Sequence, residues 1–186
     1  MNIVIGFSGA IGSGKTHLSR AVAHAFGWKF ASFGNYIRLV AQKQGIDPLN
    51  IPALQNIGQD LVEHHLDELC QAVLKQSGWI QGDSLVIDGI RHVEVSATLR
   101  STVCPTIFRL VFVQTALEVR IARIKKRVFN GNMFAVDLEV LDNHRSEIQV
   151  ARSLEGIADL TVSGAIDPDH ATKQVLDWVD AQLAAN

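Results

Sequence analysis

The organisation of this chain follows from the stretch Gly9-Ala10-Ile11-Gly12-Ser13-Gly14-Lys15-Thr16. It satisfies every fixed position of the phosphate-binding loop pattern G-x-x-x-x-G-K-[ST]. The apolar, β-prone run Ile3-Val4-Ile5-Gly6-Phe7 precedes it, and residues 17–26 after it have helical spacing. A strand, a glycine loop and a helix in this order distinguish the motif from an ordinary glycine-rich turn. We therefore expect residues 9–16 to bind a phosphate group.

Each residue type in this loop has a physical role in binding a nucleotide. Glycines let the backbone curl so that successive N–H groups point at a phosphate, and the following helix N-terminus adds partial positive charge. We expect Lys15 to reach the terminal phosphates of ATP in a catalytic role, and the Thr16 hydroxyl to ligate Mg²⁺. The residues assigned to the nucleotide are Gly9, Ala10, Ile11, Gly12, Ser13, Gly14, Lys15 and Thr16.

Bulk properties set limits on the class of protein. The chain has 186 residues, of which 47% are hydrophobic and 19% charged, typical of one globular domain spanning residues 1–186. A net charge of −2 gives no general electrostatic reason to expect nucleic-acid or membrane partners. Two cysteines without ligand spacing indicate free thiols. With neither a signal peptide nor a membrane-length apolar run, we expect a cytoplasmic protein.

Strands alternate with helical segments along the chain, which predicts a three-layer α/β architecture with a mainly parallel sheet. One long helix is expected to begin near Pro52 and to end by Ser77-Gly78. Residues 34–77 form a helical insert larger than a minimal crossover needs. Such an insert either covers a substrate or simply packs on the sheet. The predicted strands are 2–7, 28–33, 84–88, 106–113 and 159–163.

Asp88 ends the predicted apolar strand Leu85-Val86-Ile87-Asp88. The carboxyl ends of strands in open α/β sheets face the ligand crevice, where the phosphate loop also lies. A carboxylate there can bind Mg²⁺ through water or accept a proton from a reacting hydroxyl. The alternative is a turn-forming Asp in the pair Asp88-Gly89. We assign Asp88 to catalysis and to the metal.

Arg38 and Arg91 each follow a predicted strand. Arginine suits bidentate contact with phosphate or carboxylate. Two arginines beyond two strand ends can hold an anionic acceptor, although either one alone is more often a surface residue. We predict that both bind the acceptor.

Arg120, Arg123 and Arg127 share one face of a predicted helix over 117–129, because they are spaced i, i+3 and i+7. This is the densest basic cluster of a slightly acidic chain. A solvated helix face is the alternative to a functional one. We expect Arg120 and Arg127 to stabilise charge on a transferring phosphoryl group, and Arg123 to contact the nucleotide.

The glycine- and asparagine-containing segment after this helix is a candidate lid over residues 128–137. Arg145, in Asn143-His144-Arg145-Ser146-Glu147, lies beyond it in sequence and could return to the same phosphates. We place Arg145 with the substrate-binding residues. A further helix is predicted from Asp137 to about Val150.

The chain resembles the small-molecule kinases of the P-loop superfamily, especially nucleoside monophosphate kinases and dephospho-CoA kinases. Residues 6–16 are similar to the dephospho-CoA kinase loop. The segments Val86-Ile87-Asp88-Gly89-Ile90-Arg91, Phe33-Gly34-Asn35-Tyr36-Ile37-Arg38 and Leu54-Gln55-Asn56-Ile57-Gly58 look more like phage-type deoxynucleoside monophosphate kinases. The loop ends Lys-Thr where dephospho-CoA kinases typically have Lys-Ser and many phage enzymes Lys-Asp. Ser163-Gly164 likewise departs from the Asn and short turn usual in the group.

This resemblance implies a five-stranded parallel sheet of order 2-3-1-4-5, with the acceptor under the helical insert and a short lid. It also implies that Arg38 and Arg91 hold the acceptor phosphate and that Gln55 contacts the acceptor. The expected activity is transfer of the γ-phosphoryl group of ATP, with Mg²⁺, to a small phosphorylated acceptor, most readily a (deoxy)nucleoside monophosphate. Alternatives are dephospho-CoA or another metabolite as acceptor, or an NTPase switch or binding protein without an acceptor.

Overall fold

A computed structural model describes residues 2–129, 142–144, 147–148 and 150–185 of the chain. Five parallel strands form one sheet in the order β2-β3-β1-β4-β5. The predicted sheet, its strand order and its parallel direction are therefore confirmed. The strands are β1 (Ile3–Ser8), β2 (Lys29–Ser32), β3 (Leu85–Ile90), β4 (Ile107–Gln114) and β5 (Leu160–Ser163).

Helices connect these strands and cover the sheet. Ser32 caps the second helix through its hydroxyl, which accepts from the backbone N–H of Asn35 at 3.3 Å. Asp167 caps the C-terminal helix, accepting from the N–H groups of Asp169 and His170, with Pro168 as the first helical residue. The helices are α1 (Lys15–Phe26), α2 (Phe33–Lys43), α3 (Ile51–His64), α4 (Leu66–Gln76), α5 (Val93–Thr102), α6 (Leu117–Phe129) and α7 (Pro168–Ala184).

Two hydrophobic cores lie on opposite faces of the sheet, which makes the arrangement three-layered. One core joins the sheet to α1 and α7, where Leu18, Val22 and Val175 are buried. The other joins it to α4 and α5 through residues such as Leu69 and Leu99. Because both faces are covered, β1 is buried along its whole length.

The prediction of a single long helix over 52–77 is wrong, since two helices, α3 and α4, occupy this region. His65 interrupts the helical backbone with φ −141° and ψ 39°. Its carbonyl accepts from the N–H of Leu69 at 2.9 Å and so begins α4. Asp67 and Glu68 then lie in the first turn of α4, where the helix dipole favours negative charge.

Strand β3 continues beyond Asp88, where the sequence predicted its end. The pairing with β1 shifts register so that Phe7 pairs with Asp88 and Ser8 with Ile90. Gly89, with φ 90°, is the extra residue of this bulge, a conformation that favours glycine. Asp88 therefore lies within β3, paired with β1 on one side and β2 on the other, and is not part of an Asp-Gly turn.

No helix among the residues described here has both the length and the apolar composition needed to cross a bilayer. Most of the predicted lid over 128–137, and most of the helix expected from Asp137 to Val150, fall outside the described residues. Residues 150–154 form a short π-helical turn.

Candidate active site

The phosphate loop connects the buried end of β1 to the first turn of α1. Gly9, Gly12 and Gly14 have φ angles of 144°, 82° and 97°, which residues other than glycine rarely adopt. A Cβ on Gly9 would also lie 2.6 Å from the carbonyl oxygen of Val113. Gly14 precedes α1, and no side chain caps the helix there. The loop backbone and an uncapped helix N-terminus thus form a cradle suited to a phosphate.

Lys15 is buried in this cradle with 7% of its surface exposed. Its Nζ donates to the carbonyl oxygen of Ala10 at 3.3 Å. Burial lowers the pKa of Lys15 to about 7, and the positive charge of Arg91 acts in the same direction, whereas Asp88 opposes the shift. A bound polyanion would restore the full charge of this ammonium group.

Thr16 and Asp88 meet at the base of the cradle. The Thr16 hydroxyl donates to Oδ2 of Asp88 at 2.9 Å. Asp88 is 4% exposed, and its other oxygen, Oδ1, has no hydrogen-bond partner among the described residues. A buried, unpaired carboxylate oxygen beside a hydroxyl is a donor set that fits Mg²⁺ and its waters. These residues therefore fit the metal expected from the sequence.

Arg120 is directed at the phosphate loop from α6. Its Nε donates to the carbonyl oxygen of Ile11 at 2.7 Å, and its Nη2 pairs with Oδ1 of Asp142 at 2.5 Å. Arg120 is also buried, with 8% exposure. Arg120 therefore supports the loop backbone, and its predicted contact with a transferring phosphoryl group stays a prediction.

Arg123 supports the same loop one turn further along α6. Its Nη1 donates to the carbonyl oxygen of Ser13 at 2.9 Å, and its Nη2 to that of Gly164 at 2.6 Å. The Thr115 hydroxyl also donates to Ser13, at 2.9 Å. The phosphate loop is thereby fastened to α6 and to the segment after β5. The predicted contact of Arg123 with the nucleotide stays a prediction.

A cavity of about 400 Å³ adjoins the phosphate loop. Lys15, Thr16 and Asp88 line it together with Arg38 from α2 and Arg91 from the segment after β3. Two helices of the insert, α2 and α3, therefore contribute to its wall, as does Leu69 of α4. The apolar part of the wall includes Phe33, Ile37, Leu54, Val62, Leu69 and Val95.

Arg38 lines this cavity although its side chain is exposed, and no hydrogen bond or ion pair joins it to another described residue. Burial lowers its pKa, while the charge of Asp88 opposes the shift. A guanidinium held in a cavity without a protein acceptor is suited to an anionic ligand.

Arg91 forms an ion pair with Glu147. Burial lowers the pKa of Arg91 to about 10, Asp88 opposes the shift, and Arg38 adds to it. Arg91 therefore stays cationic near neutral pH, and its cavity-facing position keeps it available to an anion.

The structure brings most of the predicted site residues to this one cavity: Ile11, Gly12, Lys15, Thr16, Arg38, Gln55, Asp88, Arg91 and Arg127. Arg120 and Arg123 do not line it. Arg145 lies outside the described residues.

Several residues of the site were not predicted. Arg20, one helical turn after Thr16, lines the cavity, as does His92, whose Nε2 lies 3.0 Å from Oε1 of Gln59. The position of His92 just after β3 is a signal that could have identified it, by the reasoning applied to Arg91. Glu147 and Asp142 carry no local motif, and only the fold brings them to the loop.

Comparisons with known proteins agree with this architecture. A family model described as an AAA domain, AAA_18, matches residues 5–148. A search of curated protein sequences finds no match.

The fold is similar to solved structures of low sequence identity. A gluconokinase from Sinorhizobium meliloti is 18% identical with a TM-score of 0.65, covering 99% of this chain and 94% of its own. A shikimate kinase from Aquifex aeolicus is 17% identical, with a TM-score of 0.59. The alignment covers 99% of this chain and 100% of the shikimate kinase chain. An APS kinase from Mycobacterium tuberculosis, in complex with AMPPNP and APS, is 18% identical, with a TM-score of 0.60. The alignment covers 96% of this chain and 98% of the APS kinase chain.

Proposed function

The chain belongs to the AAA_18 family of AAA domains, and on this premise we propose that it is an ATP-dependent phosphotransferase acting on a small phosphorylated acceptor. The observation that carries the proposal is that one cavity is lined by two groups of cationic side chains. Lys15 of the phosphate loop forms one centre, and Arg38 and Arg91 form the other, each suited to an anion. A protein that only hydrolyses a nucleotide needs the first centre alone. The three similar structures bear kinase names, which supports the same class of reaction.

The residues of the loop perform the donor half of the reaction. Backbone N–H groups of residues 9–16 hold the phosphates, and the Lys15 ammonium neutralises charge as the phosphoryl group moves. Mg²⁺, when bound with ATP, neutralises phosphate charge at the Thr16 hydroxyl and the Asp88 carboxylate. The Asp88 carboxylate would either help to hold this ion or accept a hydrogen bond from the acceptor through Oδ1. Little covalent chemistry is required of the chain, so positioning and electrostatics provide the rate.

The acceptor half combines charge with an apolar wall. Arg38 and Arg91 hold an acceptor phosphate by charge-assisted hydrogen bonds. The apolar side chains of α2 and α3 suit a flat, weakly polar group such as a nucleobase, and Gln55 adds an amide for hydrogen bonding. This combination favours a (deoxy)nucleoside monophosphate as the acceptor. Arg127, exposed at the cavity edge, would contribute to closure over the donor. Most of the lid predicted over 128–137 lies outside the described residues.

The experiment that tests the proposal mixes the protein with Mg²⁺, ATP and a panel of acceptors and measures ADP. The panel contains ribo- and deoxynucleoside monophosphates, dephospho-CoA, shikimate and gluconate. We expect ADP release to depend on a nucleoside monophosphate. Release that depends on dephospho-CoA would keep the reaction class and change the acceptor, and acceptor-independent release would contradict the proposal.

Substitutions at the two centres separate their roles. Lys15→Ala should lower turnover at least about 100-fold, because it removes charge stabilisation at the transferring group. Arg38→Ala and Arg91→Ala should each raise the acceptor KM on the order of tenfold, the effect of losing a charge-assisted hydrogen bond. Arg152→Ala, an exposed arginine away from the cavity lining, is the matched control. An unchanged acceptor KM in Arg91→Ala would remove Arg91 from the acceptor site.

A further inference from the structure

Glu147 connects the two halves of the site although it does not line the cavity. Its side chain is 2% exposed. Oε2 accepts from the backbone N–H of Ile11 at 3.2 Å, and Oε1 pairs with Nη1 of Arg91. One carboxylate thus touches the phosphate loop with one oxygen and the acceptor-binding arginine with the other.

A buried carboxylate is costly unless its charge and both oxygens are compensated. Glu147 meets this condition by bridging the backbone amide of Ile11 and the guanidinium of Arg91, which lie 80 residues apart in sequence. Removing either partner would leave a buried charge incompletely compensated. The contact therefore specifies how the loop and Arg91 lie relative to each other.

The peptide groups on both sides of Ile11 are held as well. Its N–H donates to Glu147, and its carbonyl oxygen accepts from Nε of Arg120 at 2.7 Å. Arg120 is itself paired with Asp142. Two carboxylates, Asp142 and Glu147, from the segment that follows residues 130–141, therefore fix the orientation of the loop at Ile11.

Arg91 pairs directly with this carboxylate. The charges acting on it include the neighbouring cations Arg38 and Arg120, opposed by Asp88 and Asp142. Without Glu147 the guanidinium would lose its direct ion-pair partner while the cations remained. The guanidinium would then be held less firmly in one position in the cavity.

We propose that Glu147 is a positioning residue that sets Arg91 and the phosphate loop at Ile11 in one fixed relation, so that donor and acceptor phosphates are held in register. The part of this statement that concerns the acceptor rests on the proposed function. The part that concerns the loop does not, because the Ile11 contact can be measured in the protein alone.

The test compares Glu147→Gln with Glu118→Gln, which removes the same charge from an exposed position in α6. Two quantities are measured without any acceptor: hydrogen exchange at the Ile11 amide, and the Kd for AMPPNP with Mg²⁺. We expect Glu147→Gln to speed exchange and to raise Kd, each on the order of tenfold, since a charge-assisted hydrogen bond is lost. Glu118→Gln should change neither.

The acceptor arm uses a double-mutant cycle for the acceptor KM. If Glu147 acts on the acceptor through Arg91, Glu147→Gln should raise this KM in the wild-type background and add less than about twofold in the Arg91→Ala background. A merely structural role would instead lower thermal stability without this dependence on Arg91. If Glu147→Gln does not fold, Glu147→Asp keeps the charge but shortens the reach, and the same changes in exchange and Kd are expected.

The outcomes separate the two proposals. Unchanged Ile11 exchange and AMPPNP affinity in a folded Glu147 variant would overturn the positioning role, as would additive effects on the acceptor KM. Normal AMPPNP binding by the wild type with no acceptor-dependent ADP would instead overturn the proposed function. In that case the exchange and Kd measurements would still decide whether Glu147 positions the loop.

Discussion

Lys15 is a residue whose charge state should respond to a bound nucleotide. Burial lowers its pKa to about 7. Near pH 8 it is therefore mostly neutral, and near pH 6 it is mostly protonated. Because a polyanion stabilises the protonated form, nucleotide binding near pH 8 should take up about one proton, and binding near pH 6 should take up little.

This proton uptake can be measured by titration calorimetry of AMPPNP with Mg²⁺ in buffers of different ionisation enthalpy. Lys15→Met provides the comparison, because it keeps much of the side-chain volume and removes the titrating group. Uptake that is equal at both pH values, or that persists in Lys15→Met, would show that Lys15 is not the group involved.

Asp88 is the second residue with a specific expectation. Asp88→Asn can still accept a hydrogen bond from Thr16, but it loses the negative charge that suits a divalent cation. We expect turnover to fall on the order of 100-fold and the Mg²⁺ concentration for half-maximal turnover to rise. Magnesium titrations at saturating ATP measure both quantities.

Asp60→Asn is the matched control for Asp88→Asn, because Asp60 is an exposed carboxylate of α3. It should behave as the wild type. A normal magnesium dependence in Asp88→Asn would remove Asp88 from the metal site and leave it a structural partner of Thr16.

At the scale of elements, the segment after β5 is packed directly against the phosphate loop. A Cβ on Gly164 would lie 2.2 Å from the carbonyl oxygen of Ser13 and 2.3 Å from Oγ1 of Thr115. Gly164→Ala must therefore displace the segment or the loop. We expect a loss of stability of about 1–3 kcal/mol and weaker AMPPNP binding, measured by denaturant unfolding and calorimetry.

Gly156→Ala is the control for this substitution, because its nearest neighbour, the carbonyl oxygen of Ser153, would be 3.7 Å from the added Cβ. Its stability should change much less than that of Gly164→Ala. If Gly164→Ala binds AMPPNP with wild-type affinity, the segment after β5 does not support the loop in the way described.

The elements predicted most accurately were those marked in the sequence by a motif or by a continuous apolar run. The phosphate loop motif and the apolar run of β4 placed β1 and β4 to within one residue of their observed bounds, and α1 to within two. The break at His65 was missed because apolar spacing continues from Leu61 to Leu69 across it. The extension of β3 was missed because Asp88-Gly89 carries a turn signal, whereas pairing with β1 converts Gly89 into a bulge.

At the scale of the whole molecule, local sequence could not reveal which groups meet across the fold. Strand-end reasoning identified Asp88, Arg38 and Arg91, because parallel strands bring their carboxyl ends to one edge. Glu147 reaches Ile11 across 136 residues, and no motif accompanies it. Arg120 and Arg123 were recognised as a stripe, but only tertiary contacts show that they bind loop carbonyls.

Cationic side chains from distant parts of the chain line one cavity: Lys15 of the phosphate loop, Arg38 and Arg91. The insert brings Arg38 and Gln55 to the cavity that the phosphate loop borders. In the proposed reaction, donor and acceptor would occupy this common space, whose wall includes residues of α2 and α3. A switch protein would need no such second centre.

Phosphoryl transfer itself is tested most directly by following label from [γ-³²P]ATP in the presence of Mg²⁺ and a nucleoside monophosphate. We expect the label to appear in a nucleoside diphosphate made from the added acceptor, at a rate that saturates with acceptor and is lost in Lys15→Ala. Label that appears only as inorganic phosphate, at a rate independent of every acceptor in the panel, would contradict a two-substrate kinase.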